Sequence, residues 1–291
     1  MDIQMIINQL ISNNIIDSEP TEYKQLNGGT VSELYLISNK YVVKTNEPQV
    51  IESEVNFLHS HKESNLLPGV LFAEKSYNYI VYSFISGSTN YHRKNKKEML
   101  KGLVQGLLNY YKSVPKQTGW GWADQPCDTW KSFLINEIKA AKKIIHSRLD
   151  CHQHDFVLSI AQNMNYESKP FLLHGDCGVH NFIFKDGQLS GVIDPTPVIG
   201  DPFYDLIYAF CSSPDELTKE IIDEAASHLT IKCEECNSFL YKKVLIGLYL
   251  RIGACIKHHP HDFEQYRQAW NYWFNLLQNN ENNEVRDEDN Y

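Results

Sequence analysis

The sequence predicts an α+β protein of two lobes, a small N-terminal lobe built on an antiparallel sheet and a larger helical lobe. Within residues 1–86, short β-branched runs alternate with turn residues, as in a small antiparallel sheet. From about residue 95, apolar residues recur every three or four positions, which is the spacing of amphipathic helices. Hydrophobic residues occupy 42% of the 291 positions, enough for a substantial core.

The N-terminal lobe, residues 1–86, begins with apolar residues at helical spacing and without a basic leader region. This pattern favours an amphipathic helix over a signal peptide. Five strands and one further helix are then predicted from β-prone runs, turn residues and a proline. The strands are 21–26, 32–38, 40–44, 70–75 and 79–84, and the helix is roughly 50–61.

The second lobe is predicted to span residues 87–279 and to be largely helical. A loop rich in Gly, Trp and Pro, at 115–128, interrupts the helical pattern. The last twelve residues, 280–291, are acidic and polar, and we expect a disordered tail there. The predicted helices are 96–112, 129–149, 156–165, 214–228, 234–257 and 262–278.

Composition limits the classes of partner. The formal net charge is −9, of which the last twelve residues contribute −4, and the mildly acidic remainder is a poor surface for nucleic-acid phosphates. No apolar run is long enough for a bilayer, so we expect a cytoplasmic protein with no membrane partner. No obligate protein partner is evident. Seven irregularly placed cysteines suit reduced thiols.

Residues 174–194 read HGDCGVHNFIFKDGQLSGVID and carry the strongest functional signal. Two β-like runs in this segment are joined by an Asp-Gly turn, so a hairpin returns Asp194 to the neighbourhood of Asn181 and Asp176. One carboxylate can then accept or orient a hydroxyl proton. A second carboxylate and an amide oxygen can hold magnesium. This is the set of groups that phosphoryl transfer from a nucleotide requires.

A different reading starts from Cys233 and Cys236, which form a single C-x-x-C pair. A structural zinc site needs four ligands, and no second C-x-x-C is present. The nearby histidines, His258, His259 and His261, do not have zinc-motif spacing. A zinc-dependent or purely structural helical protein therefore stays an alternative that depends on this pair alone.

The chain resembles the aminoglycoside phosphotransferase family and, more distantly, the eukaryotic protein kinases. The likeness extends from residue 21 to about 278 and is most specific in HGDCGVHN and in IDPTPVIGDPFYDL, which is Ile193–Leu206. The resemblance implies a protein-kinase-like bilobal fold, with ATP or GTP as co-substrate and Mg²⁺ as cofactor. It also implies that Asp176 is the catalytic base and that Asn181 and Asp194 bind the metal.

The remaining expected site residues also follow from the resemblance. Lys44 would contact the α- and β-phosphates, and Glu54 would hold Lys44 in place. Both fit their surroundings, since Lys44 ends a β-branched strand and Glu54 shares a helix face with apolar residues. Further nucleotide contacts are expected from a phosphate flap and from backbone groups of the strand end. The flap residues are Gly28, Gly29, Thr30 and Ser32, and the strand-end residues are Ser83 and Ile85. His174 and Asp205 are expected to support the catalytic loop.

Two departures from protein kinases indicate a small-molecule acceptor. Gly175 occupies the place of the catalytic-loop arginine, so a phosphorylated loop would find no guanidinium partner there. Asp194 is followed by Pro195-Thr196-Pro197, and Asp205 comes only eleven residues after Asp194, which leaves no room for an activation segment. The expected reaction is transfer of the γ-phosphate to a hydroxyl of a small molecule.

The acceptor is less well determined. An aminoglycoside or a related amino sugar or amino alcohol is the first expectation, and homoserine, choline-like, fructosamine and macrolide hydroxyls stay open. A non-catalytic nucleotide-binding regulator is a further alternative. A polycation would want carboxylates, and the second lobe offers Asp124, Asp128, Glu137, Glu234, Glu235, Asp262 and Glu264. Trp120, Trp122 and Trp130 could form a wall of the cleft, and Arg251, Lys257, His258 and His259 add positive charge. A role in antibiotic resistance depends on the acceptor.

Overall fold

The computed structural model describes residues 3–20, 22–26, 32–164, 169–231 and 237–288. Its N-terminal lobe contains a five-stranded antiparallel sheet in the order β1-β2-β3-β5-β4. One helix precedes the sheet and a second lies between β3 and β4. The elements are α1 (Ile3–Ser12), β1 (Tyr23–Leu26), β2 (Glu33–Ile37), β3 (Tyr41–Thr45), α2 (Pro48–Ser60), β4 (Val70–Ala73) and β5 (Tyr79–Ser83).

The two helices cover opposite faces of this sheet, and alternation along β3 explains how. Val43 faces α1, where it packs in a cluster with Ile6 and Leu10. Val42 points the other way, into the main core with Val55 of α2. Because side chains alternate along a strand, Lys44 lies on the same face as Val42 and points toward α2.

The second lobe is mainly helical, and its core is rich in large aromatic side chains such as Trp270, Trp273 and Tyr249. The central helix of this lobe packs against four others. In chain order the helices are α3 (Lys96–Gly106), α4 (Trp130–Ile145), α5 (Cys151–Asn163), α6 (Phe203–Cys211), α7 (Lys219–Ser227), α8 (Asn237–His258), which is the central one, and α9 (Phe263–Glu288).

Two small sheets frame the motif at residues 174–194. The predicted hairpin is present as an antiparallel pair of strands with a register shift near Phe184. A three-stranded antiparallel sheet, which the sequence did not predict, lies beside it. The strands are β6 (Gly121–Trp122), β7 (Phe171–Leu173), β8 (Phe182–Lys185), β9 (Gln188–Val192) and β10 (Val198–Gly200). The motif therefore runs from the end of β7 to the start of β10.

The predicted fold class, an α+β bilobal chain with a five-stranded antiparallel sheet, is confirmed. The lobe boundary predicted near residue 86 falls between β5 and α3. Helix α9 continues to Glu288, so it enters the segment 280–291 where we expected a disordered tail. Glu, Asn and Arg are compatible with a helix, so an acidic composition alone does not end one.

Cys233 and Cys236, on which the zinc alternative depends, lie outside the described residues. The five described cysteines are all free thiols. Within the described ranges, no helix combines the length and apolarity that crossing a bilayer requires.

Candidate active site

The site is organised around Lys44, which is almost completely buried at 3% exposure. Its ammonium donates to Glu54 Oε2 at 2.6 Å, and Glu54 is itself only 1% exposed. Glu54 shares the sheet-facing side of α2 with Ile51, Val55 and Leu58. The two predicted partners therefore meet because β3 and α2 pack face to face.

Lys44 also pairs with Asp194, which belongs to the other lobe. Burial alone would lower the pKa of Lys44, but the carboxylates of Glu54 and Asp194 raise it above its ordinary value. Lys44 is therefore charged at neutral pH. Asp194 stays 53% exposed, so it can reach both Lys44 and solvent in the cleft.

Asp194 is held close to the catalytic loop by backbone hydrogen bonds on both sides of it. The amide of Ile193 donates to the carbonyl of Asn181 at 3.0 Å, and the amide of Thr196 donates to the carbonyl of His174 at 2.9 Å. Asp194 adopts a positive φ of 60°, which is uncommon for a residue with a side chain. Such conformations cost free energy and persist where the surrounding structure enforces them.

Asp176 lies in a dense hydrogen-bond network. Its Oδ2 accepts from Asn181 Nδ2 at 2.9 Å and from His180 Nε2 at 3.2 Å. The side chain of Tyr208 also lies close to Asp176. Burial alone would raise the pKa of Asp176, but the hydrogen bond and charge of His180, together with Tyr208, lower it to about 2. Asp176 is therefore ionised at neutral pH.

His174 is fully buried, and its ring connects the two acidic segments. The backbone amide of Asp176 donates to His174 Nδ1 at 3.3 Å, and His174 Nε2 lies 3.1 Å from the carbonyl of Ile193. A carbonyl only accepts, so the ring carries its proton on Nε2. Burial lowers the pKa of His174 to about 4, against an opposing effect of Asp176 and Asp194, and the ring is therefore neutral.

Asp205 supports the start of the loop from helix α6. Its carboxylate accepts from the backbone amides of His174, at 2.8 Å, and Gly175, at 3.1 Å, and from the hydroxyl of Tyr111. Asp205 is fully buried, and burial raises its pKa to about 6 despite these hydrogen bonds. His174 and Asp205 are both fully buried and therefore closed to a ligand, and their supporting role stays a prediction.

Gly175 is required by the packing at this turn. Its φ is +81°, and an added Cβ would lie 1.9 Å from the carbonyl oxygen of Thr196. A side chain at this position would push apart the turn and the strand segment that carries Asp194. The glycine in place of the kinase arginine therefore has a steric cause in this chain.

The side chains of Asn181 and Asp194 suit a magnesium ion. Because Asn181 Nδ2 faces the carbonyl and the carboxylate of Asp176, its Oδ1 is left available to a cation. Asp194 supplies an exposed carboxylate oxygen from the neighbouring segment. Mg²⁺ in nucleotide sites is held by one or two such groups, with water and phosphate oxygens completing its shell.

The predicted nucleotide contacts are only partly within the described residues. Gly28, Gly29 and Thr30 lie outside them, whereas Ser32 is described and its Oγ accepts from Asn46 at 2.8 Å. The amide of Ser83 already donates to the carbonyl of Gly69 at 2.9 Å, which leaves only the Ser83 carbonyl for a purine. Ile85 follows the strand end without a backbone hydrogen bond to any described residue.

A cavity of about 1000 Å³, counting the part open to solvent, lies in the second lobe beside the acidic segments. It lies between α4, α6 and α8, and Tyr208, which lies close to Asp176, forms part of its wall. Sequence reasoning missed both Tyr208 and His180. Tyr208 lies three residues after Asp205 on α6, and its approach to Asp176 depends on how α6 packs. His180 lies in a short 3₁₀ turn, Val179–Asn181, and Asp176 precedes that turn, so no helical spacing links the two residues.

Among the residues that the sequence suggested as contacts of the acceptor, some line the cavity and others do not. Trp122, Trp130, Glu137 and Arg251 line the cavity. Trp120 is instead buried and packs against Trp130, at 6.2 Å between ring centroids. Asp262 pairs with Arg93 and Glu264 pairs with Arg267, both away from the cavity. Asp124 and Asp128 are exposed, and neither lines it.

A family model described as "Phosphotransferase enzyme family" matches residues 22–230. No match was found among curated proteins.

Three solved structures illustrate the likeness. The streptomycin–ATP–APH(2'')-IIa ternary complex is 20% identical, with a TM-score of 0.60, and the match covers 94% of this chain and 98% of that one. The GDP and kanamycin complex of APH(2'')-IIIa is 16% identical, with a TM-score of 0.59 and coverage of 96% and 99%. A thermostable mutant of aminoglycoside phosphotransferase APH(4)-Ia, in ternary complex with AMP-PNP and hygromycin B, is 18% identical, with a TM-score of 0.58 and coverage of 94% and 98%. At these identities the likeness shows a shared fold.

Proposed function

The chain belongs to the phosphotransferase enzyme family, whose model matches residues 22–230, and from this premise we propose that it transfers the γ-phosphate of ATP or GTP to a hydroxyl of a small molecule. The observation that carries the proposal is that the segments of Asp176 and Asp194 lie side by side next to Lys44, a buried cation. Lys44 contacts both Glu54 and Asp194, and backbone hydrogen bonds hold Asp194 beside the loop of Asp176.

Lys44 binds the α- and β-phosphates in this proposal, and Glu54 positions it. A fixed, desolvated cation offsets phosphate charge without reorganising during the reaction. The carbonyl of Ser83 and the amide of Ile85 bind the purine edge. The segment that contains Gly28, Gly29, Thr30 and Ser32 covers the phosphates. His174 and Asp205 hold the catalytic loop without touching either substrate.

Asp176 receives the acceptor. The acceptor oxygen attacks the γ-phosphorus as the bond from that phosphorus to the β–γ bridging oxygen breaks, and the nucleoside diphosphate leaves. The hydroxyl proton passes to Asp176. A carboxylate with a pKa of about 2 is a weak base toward an alcohol. Asp176 therefore mainly orients the hydroxyl and takes its proton as the new P–O bond forms.

Asn181 and Asp194 hold Mg²⁺ in this proposal, through the amide Oδ1 of Asn181 and the exposed carboxylate of Asp194. When bound, such an ion would neutralise charge on the transferring group. Asp194, if engaged by the ion, would no longer hold Lys44, which would then be available to the phosphates.

The acceptor in this proposal is an aminoglycoside or a related amino sugar or amino alcohol. Its support is that the structural neighbours were solved with streptomycin, kanamycin and hygromycin B. The acceptor would enter the second lobe and reach Asp176 past Tyr208, which borders the cavity.

The test is a coupled nucleotide-turnover assay across aminoglycosides, amino alcohols and sugar amines, with an Asp176→Asn variant. We expect the unmodified chain to transfer phosphate. The variant should do so about 10³-fold or more slowly while still binding the nucleotide. Asp186→Asn is the matched control, because Asp186 is exposed in the hairpin turn and its φ of 52° suits Asn. Equal turnover in both variants would refute the assignment of Asp176. Nucleotide binding without transfer to any acceptor would favour a regulator.

A further inference from the structure

The residues that line the cavity in the second lobe indicate which kind of acceptor it can bind. It opens close to Asp176, since Tyr208 lines it and lies near enough to Asp176 to lower the pKa of that carboxyl. An acceptor whose hydroxyl reaches Asp176 therefore places the rest of its body against these walls.

The charges of the cavity are balanced and already engaged. Among the described residues that line it there are two acidic and two basic side chains. Asp201 Oδ2 pairs with Lys243 at 2.7 Å, and both side chains are largely buried. Arg251 donates to the carbonyl of Ser212 at 2.8 Å and to the hydroxyl of Tyr266 at 3.0 Å. The cavity thus has no net negative charge to offer a cation.

Glu137 is the acidic side chain that remains once Asp201 is paired. Its side chain lies close to that of Trp122, which also lines the cavity. Burial raises the pKa of Glu137, an effect that Trp122 only partly opposes. One partly desolvated carboxylate can neutralise one cation of a ligand, and additional cations would enter without a partner.

The rest of the lining is apolar or aromatic. Trp130 and Leu134 come from α4, Tyr204 and Ile207 from α6, and Ile246 and Leu250 from α8. Burying apolar ligand surface against such walls stabilises a complex by roughly 25 cal/mol per Å² before the costs of association. Flat side chains such as Trp130 also favour a rigid apolar ligand body.

We propose that this cavity selects, among hydroxylated amines, an acceptor with a largely apolar body and a single positive charge over the polycationic aminoglycosides. The inference rests on the proposed function and narrows its acceptor class. Glu137 faces the one ammonium group, the aromatic walls cover the apolar body, and the acceptor hydroxyl lies beside Asp176. A polycation would lose hydration at several charges and gain one carboxylate.

The first experiment measures binding without nucleotide, so that it does not depend on transfer. Two ligands are compared by calorimetry and by intrinsic tryptophan fluorescence, to which Trp122 and Trp130 in the cavity wall contribute. One is a macrolide that carries a single dimethylamino sugar, and the other is kanamycin. We expect the macrolide to bind at least about tenfold more tightly at the same ionic strength. Equal or tighter binding of kanamycin, or no binding of the macrolide, overturns the proposal.

The second experiment changes the cavity itself. Leu250→Glu adds a carboxylate to the wall, and we expect it to weaken macrolide binding by about tenfold and to strengthen kanamycin binding. Ile144→Glu is the control, because Ile144 is 41% exposed on α4 and does not line the cavity, and neither affinity should change. If thermal melting shows that Leu250→Glu is unfolded, Ala254→Glu, one turn further on α8, takes its place. A glutamate variant that leaves both affinities unchanged contradicts the proposed binding site.

A turnover assay with both ligands separates this inference from the proposed function. Macrolide binding without phosphate transfer supports the cavity's selectivity and counts against the phosphotransferase proposal. Efficient transfer to kanamycin, together with its tighter binding, supports the phosphotransferase and rejects the selectivity.

Discussion

Lys44 is shared between two carboxylates whose tasks differ. Glu54 is buried with it in the N-terminal lobe, whereas Asp194 is half exposed and, in the proposed mechanism, holds the metal ion. An ammonium held only by Asp194 would compete with the metal for the same carboxylate. Glu54 therefore holds Lys44 in place whether or not Asp194 is engaged by a metal ion.

Glu54→Gln tests this division of tasks. We expect kcat to fall by roughly 10–100-fold and the Mg²⁺ requirement to rise, because Lys44 would then be held mainly by Asp194. The measurement is turnover as a function of Mg²⁺ concentration. Glu52→Gln is the control, since Glu52 is exposed on the same helix. Similar kinetics in the two variants would contradict a positioning role for Glu54.

His174 provides a prediction about protonation. With a folded-state pKa of about 4, below its usual 6.5, its ring should stay neutral and carry its proton on Nε2 down to about pH 5. Nitrogen NMR shifts of the ring report both properties. Protonation near pH 6.5 would show that the ring is not held as the structure indicates.

The shifted pKa values of His174 and Asp205 make the stability of the fold depend on pH, each in a definite direction. As pH falls from 6.5 to 4, the unfolded chain binds a proton at His174 that the folded chain does not, so His174 makes the fold less stable. Asp205, with a raised folded-state pKa of about 6, binds a proton first in the folded chain and has the opposite effect between pH 6 and 4. We expect these two contributions to cancel in large part in denaturant unfolding between pH 4 and 6.

Much of the candidate site could be predicted from the sequence, but residue spacing did not identify every residue in it. Lys44, Glu54 and Asp194 were identifiable because their neighbours fix a strand, a helix and a hairpin, and the structure brings them together. His180 and Tyr208 were not identified, because their contact with Asp176 depends on a short helical turn and on how α6 packs. The apolar character of the cavity likewise comes from three separate helices.

At the level of elements, the catalytic turn and the segment before β10 approach each other at Gly175. The backbone contact there leaves no space for a Cβ atom. The amide of Thr196, which donates to the carbonyl of His174, is part of the same contact. This contact sets the separation between the segments of Asp176 and Asp194.

Gly175→Ala should therefore abolish turnover and lower the free energy of unfolding by more than about 3 kcal/mol, from backbone strain plus the clash. Gly187→Ala is a close control. Its φ of +79° matches the +81° of Gly175, but nothing lies within 4 Å of an added Cβ. We expect it to cost only about 1–2 kcal/mol and to keep its turnover. Denaturant unfolding and the turnover assay measure both effects, and equal losses in the two variants would show that the contact is unimportant.

Strands were predicted correctly where the alternation of apolar and polar residues was long enough to be recognised. All five strands of the N-terminal sheet and the hairpin at 182–192 were predicted to within a few residues. The sheet of β6, β7 and β10 was missed, because strands of two or three residues carry no alternation. Those strands pair only because the surrounding helices bring them together.

At the scale of the whole molecule, the ion pair of Lys44 with Asp194 links the two lobes across the cleft. Nucleotide and metal must replace this pair in the proposed mechanism, since Lys44 turns to the phosphates and Asp194 to Mg²⁺. Either ligand alone would release one member of the pair and leave the other charge without its partner. The two ligands should therefore act cooperatively on the lobes.

Thermal unfolding measures this cooperativity directly. With nucleotide and Mg²⁺ together at about 100 times the dissociation constant, we expect about 2.7 kcal/mol of stabilisation, or roughly 5 °C in Tm. Nucleotide with EDTA, or Mg²⁺ alone, should give far smaller shifts that do not add up to the combined one. Lys44→Met should lose the combined shift, because its side chain offers neither partner a charge. A full shift with nucleotide in EDTA would mean that nucleotide binds without displacing Asp194, and the two lobes would then not be coupled through this pair.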